Sequence, residues 1–378
     1  MQNERETSAS TVSVTEGLTR RRPALAASPP PLQCCEDLCL HKFAPALYTN
    51  VAAELHSFAA SFVSGLSTTD TGDGAHSGAA GIATDESAYL VRVDAAWHDH
   101  CEAALTVRRV CTVLDRSYAL ATAGVAPLWE ASLSAVRAHL DDSPQVVRRT
   151  VRGVLSLIAA ERSGEAVNRR LLRDLLRMLS ALGLYSSAFE TPFLRETEAF
   201  YGAEAAQLVQ SLDLPAYLRH AETRLHEESE RAGTYLDAVT RKTLLTCCEA
   251  ALIGRHVSSL LDKGFVPLMA ACTERMSDLG RLYSLMARVS ALDALRAALG
   301  AYVRAAGSQM VKDEAQEETL VSRLLEFKAA LDGVHKTAFA WNETFGHTLK
   351  DAFEVRPQTV CVVGFLFSHL CPLPCRHV

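Results

Sequence analysis

Residues Glu161–Tyr201 read ERSGEAVNRRLLRDLLRMLSALGLYSSAFETPFLRETEAFY. Leu172, Leu175, Leu176, Leu179 and Leu182 recur at three-and-four spacing, which predicts an amphipathic helix with one buried face. Gly164 and Gly183 stand where a left-handed residue closes a helix. The stretch also holds residues that periodicity does not demand. They are Glu161-Arg162-x-Gly164-Glu165, Arg169-x-Leu171-Leu172, Phe189-Glu190-x-Pro192-Phe193-Leu194 and Phe200-Tyr201.

The same helical pattern continues on both sides from Asp85 onward. Val107, Val110, Cys111, Leu114 and Tyr118 form one face, and Val147, Val151, Val154, Leu155 and Ile158 another. Leu279, Leu282, Tyr283, Met286 and Val289 form a third; Leu292, Leu295, Leu299, Tyr302, Val303 and Ala306 form a fourth. Asp213 before Leu214-Pro215 is a helix start, and Gly264 after Lys263 reads as a stop. Pro215 to Val239 reads as one long helix. Its apolar side includes Leu218, Leu225, Tyr235 and Val239; Glu227 and Glu228 lie on its wet side, with Glu227 four residues before Arg231. No segment of useful length alternates with period two, so the expected fold is all-α, a solenoid of stacked helical units.

Composition sets outer bounds. The 378 residues are enough for two or three core-forming units, and Gly (20) and Pro (13) are sparse, which favours helix. A net charge of −6 argues against general nucleic-acid binding. No apolar run reaches the roughly 18 residues that suggest a membrane span, and no secretory signal is legible at the N-terminus. The eleven Cys are therefore expected as reduced thiols. Residues 1–31 are rich in Ser, Thr, Arg and Pro and read as a disordered tail, with Arg20-Arg21-Arg22 as a solvated charge run. Residues 66–82 read as a flexible loop.

Chemical motifs are few. Cys35, Cys39 and His41, then His98, His100 and Cys101, then His369, Cys371, Cys375 and His377 could each be drawn as zinc ligands, but none has paired Cys-x-x-Cys knuckles. No metal and no cofactor are expected. Neither a phosphate loop, nor a nucleophile elbow, nor a His-Glu-x-x-His motif occurs. Cys247-Cys248 falls inside a helix, where adjacent side chains diverge and a disulfide is not expected.

The irregular residues of the opening stretch resemble the N-terminal arm of a cullin, and within cullins the cullin-four subfamily. The resemblance runs from about Leu32 to Glu354. Trp97-His98-Asp99-His100-Cys101 resembles a cullin-four Trp-x-Asp-His-Cys, and Asp115-Arg116-Ser117-Tyr118 a cullin Asp-Arg-x-Tyr. Leu38-Cys39-x-His41-Lys42, Tyr235-Leu236-Asp237, Leu324-Leu325-x-Phe327-Lys328, Asn342-Glu343-x-Phe345 and Lys350-Asp351-x-Phe353-Glu354 continue it in order.

The resemblance implies an elongated solenoid of cullin repeats, each a five-helix bundle. Repeat 1 would span 32–165 and be incomplete, lacking its first helix; repeat 2 would span 166–285 and repeat 3, truncated, 286–354. It also implies a non-catalytic scaffold of a cullin–RING ubiquitin ligase, found in nucleus and cytoplasm. The tip of the first repeat would dock a substrate adaptor of the triple-propeller damage-specific DNA-binding type, which carries WD40 receptors. Carried over by position, the adaptor-binding residues would be Leu32, Cys35, Glu36 and Cys39 on the second helix, and Val110, Leu114, Asp115 and Tyr118 on the fifth. Tyr118 is the leading candidate, since an aromatic ring brings large contact area at low entropic cost.

After Glu354 the chain reads VRPQTVCVVGFLFSHLCPLPCRHV and leaves the family pattern. Val355-Arg356 reads as a splice donor translated as coding sequence, from a retained intron or a mis-drawn gene. The regions that would bind the RING protein and accept the ubiquitin-like modifier do not follow it, so the chain as written is expected to bind adaptors without the RING protein, as a decoy. No direct contact with nucleic acid or membrane is expected. The alternative is a helical tether of exocyst type, which would want a basic lipid-facing cluster near its end.

Overall fold

The computed structural model describes residues 30–67, 79–312 and 319–354. Among these residues there are fourteen helices of ten residues or more and no strand. In chain order they are α1 (Pro31–Leu40), α2 (Ala44–Ser67), α3 (Ala79–Val110), α4 (Leu128–Asp142), α5 (Pro144–Arg162), α6 (Arg169–Ala181) and α7 (Thr191–Ser211). There follow α8 (Leu214–Thr234), α9 (Ala238–Leu252), α10 (Val257–Ala270), α11 (Met276–Arg288), α12 (Leu292–Lys312), α13 (Leu320–Thr337) and α14 (Glu343–Glu354). The all-α expectation holds. The N-terminal tail, the centre of the Gly/Ser/Thr loop and the segment after Glu354 lie outside the described residues. The loop's last residues, from Ala79, are already helix α3.

The chain forms two compact units. One holds the described residues up to Phe193 together with Thr234–Asp237; the other holds Leu194–Gly233 and the described residues from Ala238 onward. In the first unit α2 is central, packing on α3, α4 and α5. It buries Leu47, Val51, Leu55, Ala59, Phe62 and Val63, the spacing of a single apolar face. In the second unit α12 packs on α10, α11, α13 and α14 through Leu295, Leu299 and Val303.

The opening stretch is accounted for side chain by side chain. All five stripe leucines are buried, with Leu171 and Met178 beside them. Asn168 caps α6 by accepting from the amides of Arg170 and Leu171. Gly164 (φ 92°) and Gly183 (φ 66°) are left-handed. The Glu165 amide reaches back to Ala160 O and the Leu184 amide to Leu179 O, the six-residue closure of a Schellman motif. Glu161 is buried and accepts from Tyr235 Oη at 2.8 Å and Arg169 Nε at 2.6 Å. The Arg162 guanidinium lies 5.3 Å from the Phe193 ring centroid, and Phe193 stacks on Phe189 at 5.2 Å. Glu161, Arg162, Phe189 and Phe193, which periodicity left unexplained, are thus polar and aromatic interior of the first unit, while Tyr201 is buried in the second.

Three expectations are corrected. The long helix ends at Thr234, not Val239. Tyr235 turns to Glu161 and the Asp237 amide donates to Tyr185 Oη, and Val239 lies in the first turn of α9, exposed. Glu228 is not on the wet side. It is fully buried, accepting from Tyr201 Oη at 2.6 Å and from Arg231 Nη1 at 2.8 Å. Gly264 ends nothing; it sits inside α10, where a Cβ would run into the Cβ of Leu214 on α8. The Asp213 start holds, its carboxylate accepting from the Ala216 amide at 3.0 Å.

By composition alone, Ala238–Ala270 is apolar enough to cross a membrane. It is broken into α9 and α10 by the 3₁₀ turn Gly254–His256, and Leu244, Cys248, Leu252, Leu261 and Phe265 are buried.

Candidate functional site

The residues carried over by position do gather at one place in the first unit, around α1 and the turn after α3. There the helix breaks at Cys111, makes one short turn (Thr112–Leu114) and then a π-turn, Asp115–Ala119, closed by the Leu120 amide on Asp115 O. Such wide turns arise where a side chain must be aimed off the helical path. Cys35 of α1 packs with Leu47, Val51, Leu55, Val107, Cys111, Leu114 and Leu128, with Leu38, Cys39, Val110 and Tyr118 half-buried around them.

The eight residues fall into two sets. Cys35 and Leu114 are fully buried and hold α1 onto the bundle. Asp115 is also interior: its Oδ1 accepts from the Leu128 amide at 2.9 Å and so caps α4, whose own N-cap position is Pro127, without a side-chain acceptor. These three are inaccessible to a partner and are corrected from contact residues to supports. Leu32 and Glu36 are exposed, and Cys39, Val110 and Tyr118 reach the surface partly. The Tyr118 ring packs at 5.7 Å from Tyr48, whose hydroxyl donates to Ala126 O at 2.7 Å. Three further apolar side chains on or beside these elements, Leu40, Phe43 and Leu120, which the positional carry-over missed, stand in solvent with Leu32. Their signal in sequence was a run of apolar residues with no helical phase, Leu40 and Phe43 flanking the left-handed Lys42 (φ 66°).

Because Asp115 is a buried charged cap, replacing it by Ala is expected to cost about 2 kcal/mol of stability. Chemical denaturation monitored by far-UV circular dichroism checks this. A variant as stable as the wild type would mean that the α4 amides are satisfied otherwise.

The thiols of Cys35, Cys39 and Cys111 form a hydrogen-bonded group. Donation from Cys111, chiefly, holds the Cys35 thiol down to about 7. Burial, and then the Cys35 charge, push Cys39 up to about 11. Cys111 is pushed up by the bond it gives to Cys35 and by burial. His41, drawn with Cys35 and Cys39 in the sequence, is exposed and apart from this group. The eight described cysteines are free thiols.

His98, His100 and Cys101 do not converge either. His98 is at the surface, 3.5 Å from Glu102. His100 is buried between Phe58 and Trp97, its Nε2 2.9 Å from Ser132 Oγ, and burial pushes its pKa down to about 4. Cys101 is pushed up to about 11 by burial. Among the described residues no three His, Cys, Asp or Glu side chains converge as a metal site. The third His/Cys set lies outside the described residues.

His100 sets a pH dependence. Its folded pKa, about 4, is below the 6.5 of the unfolded chain. The unfolded state therefore takes up a proton first as pH falls. Its contribution is fully present above about pH 6.5 and is lost as pH drops toward 4, by about 3 kcal/mol at most. Urea unfolding at pH 7.5 and 4.5 should show His100→Phe losing less stability across that interval than the wild type. Equal losses would assign the acid sensitivity elsewhere.

An all-helical core with an aromatic and aliphatic surface at one bundle defines a class of helix-on-helix proteins. Comparison with known proteins narrows this. The family profile described as the cullin alpha solenoid domain matches residues 32–357. Human Cullin-4A is 35% identical over 323 residues, 85% of this chain and 41% of the relative. Cullin-4 of Dictyostelium discoideum is 30% identical over 321 residues, 84% of this chain and 38% of the relative. Cullin-3B of Arabidopsis thaliana is 31% identical over 276 residues, 71% and 37% respectively. The chain belongs to the cullin family. It spans about two fifths of the length of the relatives it matches.

Proposed function

We propose that this chain is the arm of a cullin scaffold in a ubiquitin ligase, docking a substrate adaptor through the surface of α1 and the π-turn. The observation that carries the reading is cullin likeness over residues 32–357, with 35% identity to human Cullin-4A, combined with an apolar surface at the positions where the family resemblance puts the adaptor. The docking residues in this reading are Leu32, Glu36, Cys39, Val110 and Tyr118, joined by Leu40, Phe43 and Leu120. The adaptor is the triple-propeller damage-specific DNA-binding protein with its WD40 receptors. The scaffold is non-catalytic and works by holding its adaptor in a packed helical frame, in nucleus and cytoplasm. Its three-repeat organisation is part of the same reading.

Pull-down of the purified adaptor by the tagged chain tests this. Tyr118→Ala is expected to reduce recovery about tenfold, the loss typical of truncating an aromatic anchor. The thermal transition must be compared in parallel, since the ring also packs on Tyr48. Full adaptor recovery with Tyr118→Ala would remove the residue from the interface, and no recovery with the wild type would remove the adaptor.

A further inference from the structure

The chain as a whole is acidic, yet its α5–α6 segment is strongly basic. Between Pro144 and Ala181 there are eight arginines and three carboxylates, Glu161, Glu165 and Asp174, against a net charge of −6 for the whole protein. On α6 the buried leucines turn Arg169, Arg170, Arg173 and Arg177 to the opposite, outward face. Their spacing of one, three and four residues makes a single stripe, about 12 Å long at 1.5 Å per residue.

The stripe is under-neutralised and placed against local preference. Asp174 is shared, 3.5 Å from both Arg170 and Arg173, and Asp94 of α3, the other acid near the stripe, lies within electrostatic range of Arg170 and Asp174. Arg169 is paired with the buried Glu161. Arg177 is exposed and has no ion-pair partner among the described residues. The first turn of α6 holds two arginines and no acid, the wrong sign for the positive end of a helix. Like charges three and four apart add to the cost. Arg169 has a folding role in its bond to the buried Glu161, but exposed Arg177 does not, and departures from local preference are expected where a surface has a function.

We propose that the outward face of α6 docks a short acidic segment of a partner protein. Charge complementarity selects an anion, and guanidinium forks donate to both oxygens of a carboxylate at once. The extent of the stripe selects a short one. Three carboxylates at alternate positions of an extended peptide, about 7 Å apart, span it. A long polyanion would run on into a chain that is acidic elsewhere. This surface is separate from the adaptor-docking residues, and the inference does not rest on that reading.

Fluorescence anisotropy of the full chain with a labelled twelve-residue peptide of alternating Glu and Ser tests the proposal. Binding is expected at 50 mM salt and at least tenfold weaker at 200 mM. Arg170→Glu combined with Arg177→Glu should weaken it more than tenfold, while Arg219→Glu with Arg241→Glu, equal in charge but on α8 and α9, should change it less than threefold. Asp174→Ala should tighten it. The exposed α6 positions should leave the thermal transition in place; should the reversal unfold the chain, Arg170→Gln with Arg177→Gln repeats the test. No binding by the wild type, equal losses from both charge reversals, or tighter binding of a twelve-nucleotide duplex or of phosphatidylserine vesicles would each overturn the proposal.

Discussion

Glu228→Ala is expected to destabilise the second unit by about 3–5 kcal/mol, the cost of leaving one partner of a buried ion pair behind. Glu228 is fully buried, and the guanidinium it holds, Arg231, is 5% exposed. The same carboxylate oxygen accepts from Tyr201 Oη, and Tyr201 is itself fully buried. Truncation therefore takes from a buried cation its nearest carboxylate, with Glu227 3.5 Å away as its other acid, removes the acceptor of the Tyr201 hydroxyl and opens a cavity. At roughly 2–4 °C per kcal/mol the thermal midpoint should fall by about 10 °C. Tyr201→Phe removes only one of the two bonds and is expected to cost about 2 kcal/mol. The two substitutions should be non-additive, since they break one network. A midpoint within about 2 °C of the wild type for Glu228→Ala would show that the carboxylate is not the centre of that network.

Gly264→Ala is expected to destabilise by about 2 kcal/mol or more, opposite in sign to what helix propensity predicts. In the interior of α10 the change should gain about 1 kcal/mol. The new Cβ, however, would fall against the Cβ and Cγ of Leu214, atoms near the backbone of α8 that no rotamer change can clear. Gly233→Ala is the contrasting case, also helical, with nothing within 4 Å of its added Cβ. It should be neutral or stabilising by up to about 1 kcal/mol. Urea midpoints of the two variants decide the matter: Gly264→Ala as stable as Gly233→Ala would mean that α8 and α10 can separate without cost.

At both positions the local sequence predicts something other than what the fold holds, and for the same reason. Glu228 lies beside Glu227 in a charged run, and Glu227 is indeed 35% exposed in its side chain while Glu228 is not. One helical step of 100° separates them, and the charge run has no phase that says which one turns inward. Gly264 follows a lysine, as C-terminal glycines do, but its role is the close approach of a second helix, which no local pattern records. At the proposed docking surface the family resemblance supplied the positions. Which of them are supports was not, because Cys35, Leu114 and Asp115 owe their burial to α2 and α4.

The sequence by itself determined that the chain is helical, where most helices lie, which leucines face inward, and that Gly164, Gly183 and Asp213 mark ends. These follow from period and from the local geometry of caps, interactions that close within four or five residues. Only the tertiary structure decided that Glu161 meets Tyr235, that Asp115 caps a helix thirteen residues on, that Glu228 is interior and that Gly264 is a contact. Each depends on a partner brought close by packing, and burial is a property of the neighbour as much as of the residue.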